Sequence, residues 1–333
     1  MSKQYNNFST ALTNYLLHYL PNESGVSSNT ILSYRDTFKL WIMYAHQEKN
    51  IKPDKITISL FTKDTVTHFL EWLEKTRNCS VTTRNTRLAA LHAFAKYLQY
   101  QYPEFLNYAN TILSIKKKKN VPKAVGFLDI EEVKEILKVA KENSLRDCTI
   151  VSVLYDTGCR VQELCDLRKE DIRLYAPYTI TVTGKGSKKR IIPIQEDLAK
   201  LLKTYLSTNQ NREPYLFVNK YHNKITREGI TYILKKYVIL AKKHMPTKYI
   251  INVTPHILRH SKSMHLLQAG VDLLYIRDFL GHVDLKTTEI YARIDSKMKR
   301  EALLKTHSIV GDIGDEASWK KDSNVLSWLN GLK

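Results

Sequence analysis

The chain has 333 residues, with 52 lysines and arginines against 33 aspartates and glutamates, a formal charge of +19. At about 150 residues per domain, this length fits two domains with real cores. A hydrophobic fraction of 43% with 10% aromatics excludes disorder over most of the chain. No apolar run approaches the roughly 18 residues that cross a bilayer, and the polar N-terminus carries no signal-peptide core. The expected location is therefore cytoplasmic, with no membrane partner. Cys79, Cys148, Cys159 and Cys165 form no CxxC pair and read as buried or incidental thiols rather than a disulfide framework.

Apolar residues at helical spacing predict helices over 7–20 and 27–48. The second carries Ile31, Tyr34, Phe38, Trp41, Ile42 and Ala45 on one stripe, with Ser27 and Ser28 as candidate N-caps. Segments 63–76 and 81–102 repeat the pattern, and Leu88, Leu91, Phe94, Ala95 and Leu98 trace the buried stripe of the last helix. The first hundred residues thus read as a four-helix unit. Thr83, Arg84, Asn85 and Arg87 crowd the first turns of the fourth helix. They read either as a solvated face or as a face that contacts phosphates, with a core-facing role not expected.

Pro103 ends this helix, and the run Lys116, Lys117, Lys118, Lys119 follows, before Pro122 and Gly126. Four adjacent lysines repel one another and stay extended, suited to lie along a phosphate backbone. This is the best domain boundary in the chain: residues 1–108 form the helical domain, 109–125 a basic linker, 126–310 the larger domain and 311–333 a tail. Residues 1–124 hold 17 lysines and arginines against 8 carboxylates, and the remainder 35 against 25. Both parts are basic, as expected of two lobes closing on a polyanion, most often nucleic acid.

The second part opens with Asp129 as N-cap of a helix, with further helices over 146–156 and 160–168. The period then changes to alternation over 178–183 and 189–194, on either side of Gly184, Lys185, Gly186 and Ser187, the chemistry of a hairpin turn. Helical patterns resume over 195–206, 226–244, 256–269, 272–280 and 284–304. The fold class expected is mainly α with a small antiparallel β-sheet.

Four segments concentrate unusual polar residues: 157–164 (TGCRVQEL), 184–190 (GKGSKKR), 256–261 (HILRHS) and 280–282 (LGH), the last followed nine residues later by Tyr291. Each has a plain reading alone. Glu163 pairs with Arg160, His256 satisfies a helix start, Lys185 is an exposed turn lysine, and Tyr291 is one of twenty tyrosines. Together they make a consistent site for phosphoryl transfer to a tyrosine. Arg160 and Arg259 offer planar bidentate donors for the charge of the transition state. Lys185, on a hairpin, suits protonation of the departing 5′-oxygen. His256 and His282 can donate to the phosphate or take the phenol proton, and Tyr291, a weak nucleophile at its free pKa of about 10, needs such help. Metal chemistry loses on ligand type: His256, His260, His265 and His282 lack the accompanying carboxylates, and Arg160 and Arg259 would repel a cation. No metal and no cofactor are expected.

These four ordered motifs resemble those of the tyrosine recombinase/phage integrase family, in its two-domain Xer-like form. TGCRVQEL is similar to the first-arginine box, GKGSKKR to the lysine hairpin, HILRHS to the His-x-x-Arg box, and LGH with TTEIYAR to the second-histidine and nucleophile box. The resemblance implies an N-terminal SAM-like core-binding domain and a C-terminal catalytic domain. It implies the catalytic set Arg160, Lys185, His256, Arg259, His282 and Tyr291, with Glu163 and His260 in support, and no arm-binding domain. It further implies a 3′-phosphotyrosine intermediate, exchange through a Holliday junction, and no ATP or metal. The implied partner is double-stranded DNA, held by a homo-tetramer on two sites that is monomeric in solution, with room for a second recombinase or an accessory DNA-bending protein. Residues 323–332, with Val325, Leu326, Trp328 and Leu329 at helical spacing, fit a docking helix, in trans or back onto its own domain. Integration, excision or transposition of a mobile element is the expected role, with Xer-type dimer resolution as alternative. A topoisomerase IB-like nicking enzyme and a catalytically silent DNA-binding regulator are the competing readings, the second opposed by the intact six-residue set.

Overall fold

The computed structural model describes residues 7–120, 126–208, 213–249 and 251–281, and its contacts divide the chain into two units, Met1–Lys123 and Ala124–Lys333. The first begins with α1 (Phe8–Asn14), started by Asn7, whose side chain accepts from the N–H groups of Ser9 and Thr10. The chain continues as a π-helix over Tyr15–Glu23. Pro21 lies inside it and has no N–H for the ladder. The helix expected over 7–20 is thus an α segment running into a π segment. Ser27 caps α2 (Ser28–Lys49), Thr62 caps α3 (Lys63–Lys75) and Ser80 caps α4 (Val81–Gln101), each accepting from an N–H three residues on.

The apolar stripes of these helices meet in an aromatic core. Trp41 sits edge-on to Phe61 and Phe69, each at 5.3 Å, and Phe38 edge-on to Phe94 at 5.0 Å. A fifth helix, α5 (Leu106–Leu113), packs on α4 through the buried Ala109 and Ile112. No local pattern announces it, and it corrects the linker boundary, because 109–113 is helix rather than linker.

In the second unit Asp129 caps α6 (Ile130–Asn143) in a reciprocal box with Glu132, each backbone N–H reaching the other's carboxylate at 2.8 Å. Among the described residues the most deeply buried helix of this unit is α7 (Leu145–Thr157), against which α6, α9 (Glu196–Thr208) and α11 (Pro255–Gln268) pack, while α10 (Arg227–His244) lies on α6. A short α8 (Val161–Asp166) follows α7 and leads to the sheet. This has three antiparallel strands in the order β1 (Ile172–Arg173), β2 (Thr179–Thr183), β3 (Lys189–Pro193), with Ile180 opposite Ile192 and Val182 opposite Arg190. The alternation that marked β2 and β3 turns Ile180, Val182 and Ile192 into the core. The two-residue β1 is too short to show a pattern. α12 (Leu273–Leu280) closes on α11, burying Ile276 and Leu280 with Met264 and Leu267.

All four cysteines are free thiols, three of them buried. Among the described residues no helix is long and apolar enough to cross a membrane. The expected helix over 284–304, the docking helix over 323–332 and linker residues 121–125 lie outside the described residues.

Candidate active site

Three chain turns converge in the second unit. The first follows α7, which ends at Gly158 with φ +54°, a left-handed residue whose added Cβ would lie 3.0 Å from Leu280 Cδ2. Glycine is needed here both for the conformation and for the close approach of α12. Two residues later Arg160 occupies the N-cap of α8, and its N–H reaches Glu163 Oε2 at 2.8 Å. Its guanidinium Nη1 donates to Glu163 Oε1 at 2.9 Å, and its side chain stays 37% exposed. Glu163 itself is buried.

The second turn is the β2–β3 hairpin. Gly184 N–H bonds Lys188 O at 2.8 Å, and Lys185–Ser187 form a tight turn with Gly186 and Ser187 at positive φ. The side chain of Lys185 lies outside the described residues. Leaving the hairpin, Arg190 grips Glu163 with two donors, Nη2 to Oε2 at 2.8 Å and Nη1 to Oε1 at 3.2 Å. Burial works to raise the Glu163 pKa, but the hydrogen bonds from Arg190 and from the Arg160 backbone, and the charge of Arg190, outweigh it and hold the carboxyl below its ordinary range. Cys159, between Gly158 and Arg160, has its thiol pushed up to about 11 by burial and is an inert core group.

The third turn is the entry into α11, which faces the end of α12. Thr254 caps α11 and Pro255 opens it, so His256, Arg259 and His260 fall in its first two turns. Arg259 is 5% exposed and spans the gap between the other elements, donating to Gly158 O at 2.6 Å and to Leu280 O at 2.8 Å. His260 is buried, its ring edge-on to Phe127 at 6.5 Å, while His256 is exposed. Arg160, Glu163, Arg259 and the lysine-hairpin base are therefore brought together from three segments. His282 and Tyr291 lie outside the described residues. Arg190 is the residue that sequence reasoning missed, and its place three positions beyond the hairpin turn was the only local signal.

The first unit corrects part of the expected binding face. Arg84 is core-facing, 5% exposed, with Nε 3.9 Å from Glu74 and Nη1 donating to Asn85 Oδ1 at 3.1 Å. The reason is a countercharge on α3 that periodicity within α4 cannot reveal. Arg87 is half-buried, its Nη1 bonded to Ser33 O and Thr37 Oγ1 of α2. Thr83 serves the Ser80 cap. Asn85 binds the main chain of Lys118. Lys116, Lys117, Lys118 and Lys119 are exposed, as expected of such a run, but Lys118 is also tied to Glu74 at 2.7 Å.

Comparison with known proteins identifies the family. The family model described as "Phage integrase family" matches residues 126–298, and "Phage integrase, N-terminal SAM-like domain" matches residues 13–101. The integrase/recombinase y4rC of Sinorhizobium fredii is 31% identical, over 96% of this chain and 97% of its own length. The tyrosine recombinase XerA of Pyrococcus horikoshii is 36% identical, over 74% of this chain and 81% of its own. Among solved structures, the Tn1549 transposon integrase in complex with transposon right end DNA shares the fold, with TM-score 0.68 and 15% identity over 90% of this chain and 99% of that one. With both family models and a full-length relative in agreement, the chain belongs to the phage integrase family of tyrosine recombinases, enzymes that break and rejoin DNA strands.

Proposed function

We propose that this protein is a site-specific recombinase that cuts one DNA strand at a time with Tyr291. The phenol oxygen attacks the scissile phosphorus, the bond from phosphorus to the 5′-oxygen breaks, and a 3′-phosphotyrosine and a free 5′-hydroxyl result. Arg160 and Arg259 bind the non-bridging oxygens, where the transition state gathers charge. Lys185 gives its proton to the departing 5′-oxygen, and His256 and His282 hold the phosphate and receive the phenol proton. Attack by the free 5′-hydroxyl of a partner strand reverses the same step, so exchange proceeds through a Holliday junction without an outside energy source. Glu163 and His260 support the set from beneath.

The observation that carries this reading is the reach of Arg259 from α11 to the carbonyl of Gly158, two residues before Arg160. It brings the two arginine boxes to one place, Arg259 and Gly158 being 101 residues apart in sequence. Two guanidiniums so assembled match the charge and shape of a doubly charged phosphorane-like group.

Double-stranded DNA is the substrate in this reading, bound by both basic units and by Lys116, Lys117 and Lys119, with four protomers on two sites assembling from monomers. Integration or excision of a mobile element is the role we favour, supported by the likeness to y4rC over nearly the whole of both chains. Xer-type dimer resolution is the second reading, supported by 36% identity to XerA. The test is incubation of the purified protein in EDTA with nicked suicide duplexes from its genomic neighbourhood and from the chromosomal dimer-resolution site. An SDS-resistant adduct present in wild type and absent in Tyr291→Phe is the expected result. The duplex that yields it decides between the two roles, and an adduct persisting in Tyr291→Phe would refute the nucleophile.

A further inference from the structure

Arg190 joins three parts of the site through one side chain. It leaves the lysine hairpin, its Nη1 and Nη2 hold both oxygens of Glu163, and its Nε donates to the carbonyl of Phe279 at 3.1 Å. The neighbouring carbonyl, Leu280, is taken by Arg259. A helix leaves its last carbonyls without intrahelical partners, and α12 has these two satisfied by side chains from β3 and α11.

The side chain of Arg190 is 14% exposed, and two glycines make room for it. A Cβ on Gly281 would stand 3.1 Å from Arg190 Nη1 and 3.2 Å from its Cδ. One on Gly184 would stand 3.6 Å from Nη1 and 3.4 Å from Glu163 Oε1. The guanidinium thus lies between the backbone of the lysine hairpin and the backbone that leads, one residue after Gly281, to His282.

We infer that Arg190 is a positioning residue for strand cleavage. Resting on the reading of the site given above, it locks Glu163, and through Glu163 the Arg160 side chain, to the carboxyl end of α12. In this inference Arg190 acts through Glu163 and α12 rather than on the scissile phosphate. Its planar fork meets a bidentate partner on one side and a carbonyl on the other, a geometry that the point charge of a lysine cannot reproduce.

The experiment uses the full-length protein as wild type, Arg190→Lys and Arg190→Met. In the free protein, hydrogen exchange at the Gly281 amide, which bonds back to Arg277 and Asp278, is expected to speed up in both variants. The Glu163 carboxyl, followed by carbon NMR, is expected to titrate at higher pH. On the suicide duplex that gives an adduct with wild type, the single-turnover cleavage rate is expected to fall roughly a hundredfold in both variants, with affinity for that duplex unchanged. Restoration of the rate by lysine would reduce Arg190 to a surplus charge and overturn the inference. A decline explained by weaker DNA binding alone would overturn it equally. If wild type itself forms no adduct on any duplex, the reading of the site fails and this inference with it, whereas a cleaving wild type and an undiminished Arg190→Lys remove the inference alone.

Discussion

Asn85 and Lys118 exchange hydrogen bonds in both directions, the Asn85 Nδ2 donating to the Lys118 carbonyl at 2.8 Å and its Oδ1 accepting the Lys118 N–H at 3.0 Å. One side chain on α4 thereby mimics a strand neighbour for a segment without secondary structure. Asn120 adds a bond from its Nδ2 to Thr82 Oγ1 at 2.7 Å. The lysine run leaves the first unit along a set path. Replacing Asn85→Ala should raise amide exchange at Lys118 and cost about 1 kcal/mol of stability. Unchanged exchange at Lys118 would show that the pairing contributes nothing.

Arg84 and the linker lysines should separate cleanly under mutation. Arg84 faces Glu74 from a buried position, so Arg84→Met should lower the urea midpoint by an amount equivalent to about 1–3 kcal/mol and leave the salt dependence of DNA binding as it was. Replacing Lys116, Lys117 and Lys119 by alanine should do the reverse. Stability should hold, and the slope of log affinity against log salt should flatten by up to about 0.9 for each phosphate that is no longer neutralised. A flattened slope in Arg84→Met would return that residue to the DNA face.

Glu163 supplies a pH dependence whose sign follows from its depressed pKa. A carboxyl with a lower pKa folded than unfolded stabilises the fold fully above its ordinary value of 4.5 and loses that contribution as pH falls through the folded value. Acid unfolding followed by circular dichroism should therefore show a steeper loss below pH 4.5 in wild type than in Glu163→Gln, which has no such titration. Parallel acid limbs would mean that the Arg160 and Arg190 bonds do not favour the ionised form.

Gly158→Ala tests the turn that presents Arg160. The residue has φ +54° and faces Leu280 at 3.0 Å, so the methyl group meets both a backbone penalty of about 1–2 kcal/mol and a packing clash. Thermal unfolding should show a loss of at least that size. Cleavage should also slow beyond what the unfolded fraction explains, because the turn carries Arg160.

Much of this architecture was legible in the sequence because it depends on local signals. Leu88, Leu91, Phe94, Ala95 and Leu98 mark the buried face of α4, and the glycines and Ser187 mark the hairpin between β2 and β3. The four motifs of the candidate site could be read in order for the same reason. What escaped was set by partners distant in the chain. Arg84 looked solvated because Glu74 belongs to another helix. Arg190 drew no notice because its partners Glu163 and Phe279 lie 27 and 89 residues away. Helix α5 has only eight residues, too few for the period to declare itself, and the π register over Tyr15–Glu23 has no signature in the apolar spacing.

The end of α12 has one more consequence. Aligned peptide dipoles leave a partial negative charge of roughly half an electron at the carboxyl end of a helix, and here that pole meets the guanidiniums of Arg190 and Arg259 on adjacent carbonyls. With the Glu163 carboxylate, it offsets the mutual repulsion of arginines gathered in a poorly solvated place. The arginines are thus held together by the protein's own electrostatics, and in the proposed reading the scissile phosphodiester would meet Arg160 and Arg259 already in place.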